Sequence, residues 1–117
     1  MEVQLFGTKK SADTRKALRF FAERRVRVHF VDLAEHAASL GELKRFAQRF
    51  GVPALVDRES RRFLELGLQL ARLSDERWLA TLVEEPLLLR QPLARFQQRL
   101  TIGAAQSDWT SWLAAKP

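Results

Sequence analysis

The sequence predicts one α/β domain. Three observations carry that expectation: a strand–helix–strand run at the start, a well-punctuated helical middle, and a strand–strand–helix run at the end. A chain of 117 residues has the length of one ordinary domain and can bury roughly two thirds of its unfolded surface. No repeat, low-complexity stretch or linker divides it.

Val3-Gln4-Leu5-Phe6 is a short β-prone run ended by Gly7 and reads as the first strand. A helix follows from about Ala12, where Thr14, Ala17, Leu18, Phe21 and Ala22 recur at helical spacing. Arg24 and Arg25 are expected in its last turn, where cations suit the helix dipole. Val26, Val28 and Phe30 then alternate with Arg27, His29 and Val31 as a second strand. A strand–helix–strand crossover normally makes its two strands parallel.

The middle is marked by caps. Ser39-Leu40-Gly41-Glu42 is a capping box, with Leu43, Phe46, Ala47 and Phe50 on one face behind it and Gly51 as the stop. A shorter helix is expected over about 60–66, ended by Gly67. Ser74 caps a third, with Asp75 and Glu76 in its first turn, Trp78, Leu79, Leu82 and Val83 inward, and Pro86 closing it. Leu87-Leu88-Leu89 is a short buried run. Leu93 to Phe96 and Arg99 to Ile102 read as a hairpin around Gln97-Gln98, although that turn lacks the usual glycine. Ser107-Asp108 starts a last helix with Trp109, Trp112 and Leu113 on its apolar side, and Trp78, Trp109 and Trp112 are expected as core anchors.

Composition narrows the function classes. With 46% hydrophobic and 29% charged residues the chain reads as an ordered globular protein. No apolar run approaches the ~20 residues of a membrane span, and no signal-peptide core opens the chain, so a cytoplasmic location away from membranes is expected. The absence of cysteine excludes disulfides and thiolate metal sites. His29 and His36 make no metal-ligand spacing, and no metal or cofactor is expected. Asp13 and Glu23 read as helix-surface acids rather than a paired acid and base. The net charge of +6 raises nucleic acid as a partner. Yet Arg15/Arg19, Arg45/Arg49, Arg61/Arg62 and Arg72/Arg77 are interleaved with acids, as solvated helix faces are, and no aromatic-and-basic stacking motif accompanies them. Direct nucleic-acid binding is therefore not expected.

Gly7-Thr8-Lys9-Lys10-Ser11 runs into Ala12-Asp13-Thr14-Arg15-Lys16-Ala17. Further along the chain come Val31-Asp32, Glu65-Leu66-Gly67-Leu68 and Glu85-Pro86-Leu87-Leu88-Leu89-Arg90-Gln91-Pro92. In order and spacing these segments resemble the arsenate reductase (ArsC)/Spx family, a branch of the thioredoxin-like fold. The resemblance implies a mixed four-stranded sheet built by about 1–32 and 87–115, with a helical insertion over about 33–86 and the whole of 1–117 as one domain. It also implies a cis peptide before Pro92, beside the loop that carries Ser11. At Ser11 the family's pattern carries its reactive cysteine, and Gln91 stands where the pattern has an arginine, with Arg90 one position earlier.

The family's site rests on simple physics. A loop leading into a helix N-terminus presents free N–H groups and the positive end of the dipole, which suits an anion. The same field lowers a cysteine's pKa from ~8.5 and makes it a nucleophile. Arginines then hold the oxyanion with bidentate bonds. By resemblance, Lys9, Lys10, Arg15, Arg58 and Arg90 supply that charge here, with Asp57 partly cancelling Arg58.

Ser11 alters this chemistry. Its hydroxyl is un-ionised near neutrality and needs an adjacent base, and neither His29 nor His36 is expected beside it. Serine forms no mixed disulfide, and a Cys-x-x-Cys switch fails with Ser11 and Thr14 at the two positions. Serine is also among the best N-cap residues. Two functions therefore stand. One is a non-catalytic binding or regulatory protein with a residual site for arsenate, phosphate or sulfate and, by the Spx likeness, RNA polymerase as a partner. The other is a reductase coupled to glutathione or glutaredoxin, whose cysteine is replaced by Ser11 naturally or by design.

Overall fold

The computed structural model describes residues 1–114. The chain folds as two compact units, one formed by Met1–Asp32 with the chain from Gln91 on, the other by Leu33–Arg90. Leu87 to Arg90 thus go with the helical unit, and the C-terminal limit expected at 115 lies outside the described residues.

The first unit is a four-stranded mixed sheet with two helices. Its elements are β1 (Glu2–Gly7), α1 (Ala12–Glu23), β2 (Arg27–Asp32), β3 (Leu93–Phe96), β4 (Arg99–Ile102) and α5 (Gln106–Ala114). The strand order is β2-β1-β3-β4, with β1 and β2 parallel and the other two pairings antiparallel. The crossover and hairpin expected from the sequence are the ones found, as α/β architecture requires. Gln97 takes the positive φ, 57°, that a two-residue hairpin turn asks of its first position, and its carbonyl accepts the Arg95 Nε–H at 2.8 Å.

One face of this sheet carries the core. Val3 and Leu5 of β1 and Ala94 and Phe96 of β3 pack against Ala17, Phe20 and Phe21 of α1 and Trp109 and Trp112 of α5. Trp109 lies 5.4 Å from the Phe21 ring and 5.6 Å from Phe20, and its Nε1–H donates to Thr101 Oγ1 at 2.9 Å. Each such buried aromatic contributes about 1.5–3 kcal/mol. The indole bond leaves no buried donor unpaired, which would cost about 1–3 kcal/mol.

Two local expectations are corrected. Ala22 is exposed, and Phe20 takes its place on the buried side of α1, because packing on Trp109 favours the larger ring. Arg24 and Arg25 fall just beyond α1 rather than in its last turn. Arg25, at φ 58°, ends the helix in the left-handed region, while Val26 N–H bonds to Phe21 O and Arg25 N–H to Ala22 O. Arg24 still serves the dipole from outside, donating from Nη1 to Phe20 O at 3.1 Å with its guanidinium 3.7 Å above the Phe20 ring.

The second unit holds α2 (Leu40–Phe50), α3 (Arg61–Glu65) and α4 (Asp75–Glu84), joined by 3-10 turns at Val52–Leu55, Leu68–Leu70 and Pro86–Leu88. Ser39 and Glu42 form both bonds of the capping box, and Ser60 and Ser74 accept from Phe63 N–H and Arg77 N–H at 3.1 Å each. Leu43, Phe46, Leu55, Phe63, Trp78 and Leu82 form buried positions of this unit. Phe50, expected on the apolar face of α2, is exposed, as the helix ends there at Gly51 with φ 86°. Leu87 is likewise exposed, whereas Leu88 and Leu89 are buried. No described helix is long and apolar enough to cross a membrane.

Candidate functional site

The C-terminal end of β1 leads through Thr8-Lys9-Lys10 into α1. Ser11 N–H bonds to Thr8 O at 3.1 Å, which closes the loop as a tight turn. Ser11 has extended backbone angles, its carbonyl accepts Arg15 N–H at 3.0 Å, and its Oγ accepts Thr14 N–H at 3.1 Å. Ser11 is therefore the N-cap of α1. The N–H groups of Ala12 and Asp13 open the first turn, where a helix offers them no acceptor of its own.

Behind the loop lies a small polar cluster. Gln91 Oε1 accepts the Thr8 N–H at 2.6 Å, the Thr8 hydroxyl at 3.0 Å and the Thr14 hydroxyl at 3.4 Å. Thr8 is 8% exposed and Thr14 fully buried, and both hydroxyls find their acceptor in this oxygen. Gly7 makes room for it. A Cβ there would overlap Thr14 Oγ1 and lie 2.8 Å from its Cγ2, so this glycine is required for space and not for its backbone angles. The Gln91–Pro92 peptide is cis, Pro92 is buried, and its carbonyl accepts Gly103 N–H at 2.9 Å.

The cations named from the sequence are distributed unevenly. Lys9 and Lys10 are exposed on the loop of Ser11. Arg15 is on α1, but its Nη1 donates to Lys9 O at 2.8 Å, so it braces the loop instead of standing free. Arg58 and Arg90 belong to the second unit. Arg58 is exposed there, 5.6 Å above the Phe63 ring and 6.0 Å from Trp78, while Asp57 Oδ1 accepts the Glu59 N–H at 3.0 Å. Arg90 is exposed and holds Leu55 O through its backbone N–H at 2.8 Å.

Among the described residues no group of three His, Asp or Glu side chains is arranged to hold a metal ion. His29 pairs with Gln4 in the middle of the β1–β2 ladder, whereas the loop of Ser11 leaves the sheet beyond Gly7, opposite Asp32. Thr8 and Gln91 are the site residues that sequence reasoning passed over. Gln91 reads there only as a missing arginine. The available signal was an uncharged side chain with an amide oxygen directly before a proline and an apolar strand.

The second unit holds an ion-pair network. Arg62 Nε and Nη2 clamp the Glu85 carboxylate at 2.6 and 3.1 Å, and Arg62 Nη1 reaches Glu65 at 3.4 Å. The hydrogen bond to Arg62 holds the Glu85 carboxyl below its usual range and raises the guanidinium in turn.

The family comparison covers these same segments. The ArsC family model matches residues 6–112, which span the Ser11 loop, α1, Gln91 and Pro92. The global transcriptional regulator Spx 2 of Bacillus cereus is 25% identical over 113 residues, covering 95% of this chain and 86% of its own. The arsenate reductase of Vibrio cholerae has a similar structure, with a TM-score of 0.80 at 24% identity over 95% of this chain and 97% of its own. The YFFB protein superposes with a TM-score of 0.84 at 20% identity, over 93% of this chain and 96% of its own. The fold is thus the thioredoxin-like one of the arsenate reductase structures, and the chain belongs to the ArsC family.

Proposed function

We propose that this chain is a non-catalytic ArsC-family protein that acts by binding, in a regulatory role, rather than by reducing a substrate. Ser11 carries the reading. It occupies the position that the resemblance gives to the reactive cysteine, and its oxygen is engaged as the cap of α1 through the Thr14 N–H. A serine becomes a nucleophile only beside a base, and the histidine of the first unit sits in the middle of the sheet. With no cysteine in the chain, no thiol takes over. The relatives named as global transcriptional regulators support a partner in the transcription machinery, RNA polymerase first.

A weak oxyanion site belongs to the same proposal. Lys9 and Lys10 stand exposed beside the first turn of α1, whose Ala12 and Asp13 N–H groups are suited to arsenate, phosphate or sulfate. A thermal-shift titration with those anions against a chloride control tests it. Ligand at 100 times its Kd would stabilise the fold by about 2.7 kcal/mol, and a Lys9→Ala/Lys10→Ala variant should lose that shift. A response no larger than that to chloride ends the oxyanion reading. Purified RNA polymerase passed over the immobilised protein tests the partner, with saturable binding expected. The reductase reading rests on the same loop, and Ser11→Cys decides it: arsenate reduction coupled to glutathione and glutaredoxin in that variant would replace the binding role.

A further inference from the structure

The cluster behind the loop has a role that does not depend on the function proposed above. One neutral oxygen, Gln91 Oε1, receives a backbone N–H and two hydroxyls, and all three donors come from the two residues, Thr8 and Thr14, that flank Ser11 in the loop and the first turn of α1. Three donors converging on one acceptor is the arrangement a carboxylate or oxyanion oxygen attracts, since an ionised acceptor makes bonds roughly twice as strong as a neutral one. Thr8 and Thr14 are more than nine-tenths buried, so their donors have little access to water.

We propose that Gln91 is a positioning residue that shuts this site from within: its amide oxygen is the molecule's own acceptor for Thr8 and Thr14, locking the Ser11 loop onto the cis-Pro92 turn. The lock has three parts. Gly7 leaves the space, Thr8 and Thr14 supply the donors, and Gln91, immediately before the buried proline, supplies the acceptor. An anion reaching this end of α1 would meet the outer Ala12 and Asp13 N–H groups, because the inner donors are already used. The position should also favour a negative acceptor over the amide found there.

The test is the pH profile of Gln91→Glu beside Gln91→Leu, read by thermal unfolding with amide hydrogen exchange. A glutamate on these donors should ionise more readily than in the unfolded chain. Its added stability would then be complete above the ordinary carboxylate range and lost as pH falls through the lowered folded value. The Ser11 loop, the start of α1 and the C-terminal ends of β1 and β2 carry Lys9, Lys10, Asp13, Arg15, Lys16 and Asp32, so cations outnumber acids there. Gln91→Glu is expected to melt at or above the parent's temperature at pH 7 and to lose several degrees relative to the parent between about pH 5 and pH 3. Gln91→Leu should melt well below the parent at every pH, with at least tenfold faster exchange of the Thr8 amide. A Gln91→Glu profile parallel to the parent's, or equal Thr8 exchange in parent and Gln91→Leu, overturns the proposal. If neither variant folds, the unaltered protein decides: a Thr8 amide that exchanges as freely as those of Lys9 and Lys10 rules out the lock. Failure of the oxyanion titration leaves these readouts untouched.

Discussion

In the second unit Ser39, Ser60 and Ser74 each start a helix by accepting an N–H three residues ahead, whereas in the first unit Gln91, 83 positions from Thr8, gathers the hydroxyls of Thr8 and Thr14. The second unit's polar order is local, repeated and set beside a partly exposed ion pair, Arg62–Glu85. The first unit's cluster at the Ser11 loop converges on one distant oxygen, with both threonine donors buried. The contrast teaches where polar groups matter most. A solvent-facing cap can fall back on water when its partner is lost, but a buried donor that loses its acceptor has no substitute. Ser11 stands between the two cases, since its bond is local like the caps of the second unit but its loop is tied to the distant acceptor.

Mutations that remove core volume should be the largest and should not distinguish the units. Phe21→Ala and Phe46→Ala, at buried aromatic positions of the first and second units, should each cost about 3–5 kcal/mol in urea unfolding. A cost below about 1 kcal/mol for either would show that its unit is held by something other than this core.

Glycines should divide the units by sign. Gly7→Ala, whose new methyl would run into Thr14, is expected to destabilise by about 1–3 kcal/mol. Gly41→Ala, in the first turn of α2 with its nearest neighbour 4.0 Å away, should instead stabilise by about 0.5–1 kcal/mol. Both are read from the same denaturation curves, and a neutral Gly7→Ala would mean that the cluster behind the loop yields easily.

Caps come next. Ser39→Ala, Ser74→Ala and Ser11→Ala should each cost about 1 kcal/mol if Ser11 is only a cap. A Ser11 cost above about 2 kcal/mol by thermal or chemical unfolding would set it apart from the capping serines of the second unit.

The smallest effect concerns the ion pair. Glu85, held below its ordinary value by Arg62, adds stability above the unfolded carboxylate range, and that share disappears as pH falls through the lowered folded value. The pair is partly exposed and screened by salt, so the acid-side slope that Glu85→Gln removes should be modest and shrink further at high ionic strength.

Sequence reasoning reached the elements whose cause is local. The capping box at Ser39, the cap at Ser74, the short helix near 60–66, the Gln97-Gln98 turn and the alternation in β2 each depend on contacts a few residues long, and each is found where expected. Where the next few residues do not decide, it missed. Phe20 replaced Ala22 on the buried side of α1 because Trp109 lies against it. The left-handed Arg25 ended α1 without a glycine, and the 3-10 turns carried no distinct pattern.

The α/β class, the order of strands and helices and the family are legible in the residues alone, since periodicity, caps and motif spacing are written along the chain. Tertiary contacts alone bring Gly7, Thr8, Thr14 and Gln91 into one cluster, set Arg15 to brace the loop and make the Gln91 oxygen an acceptor for Thr8 and Thr14. The physical reason is separation. A hydrogen bond between residues 83 apart leaves no period or spacing in the chain, and becomes visible only when the sheet brings its two ends together.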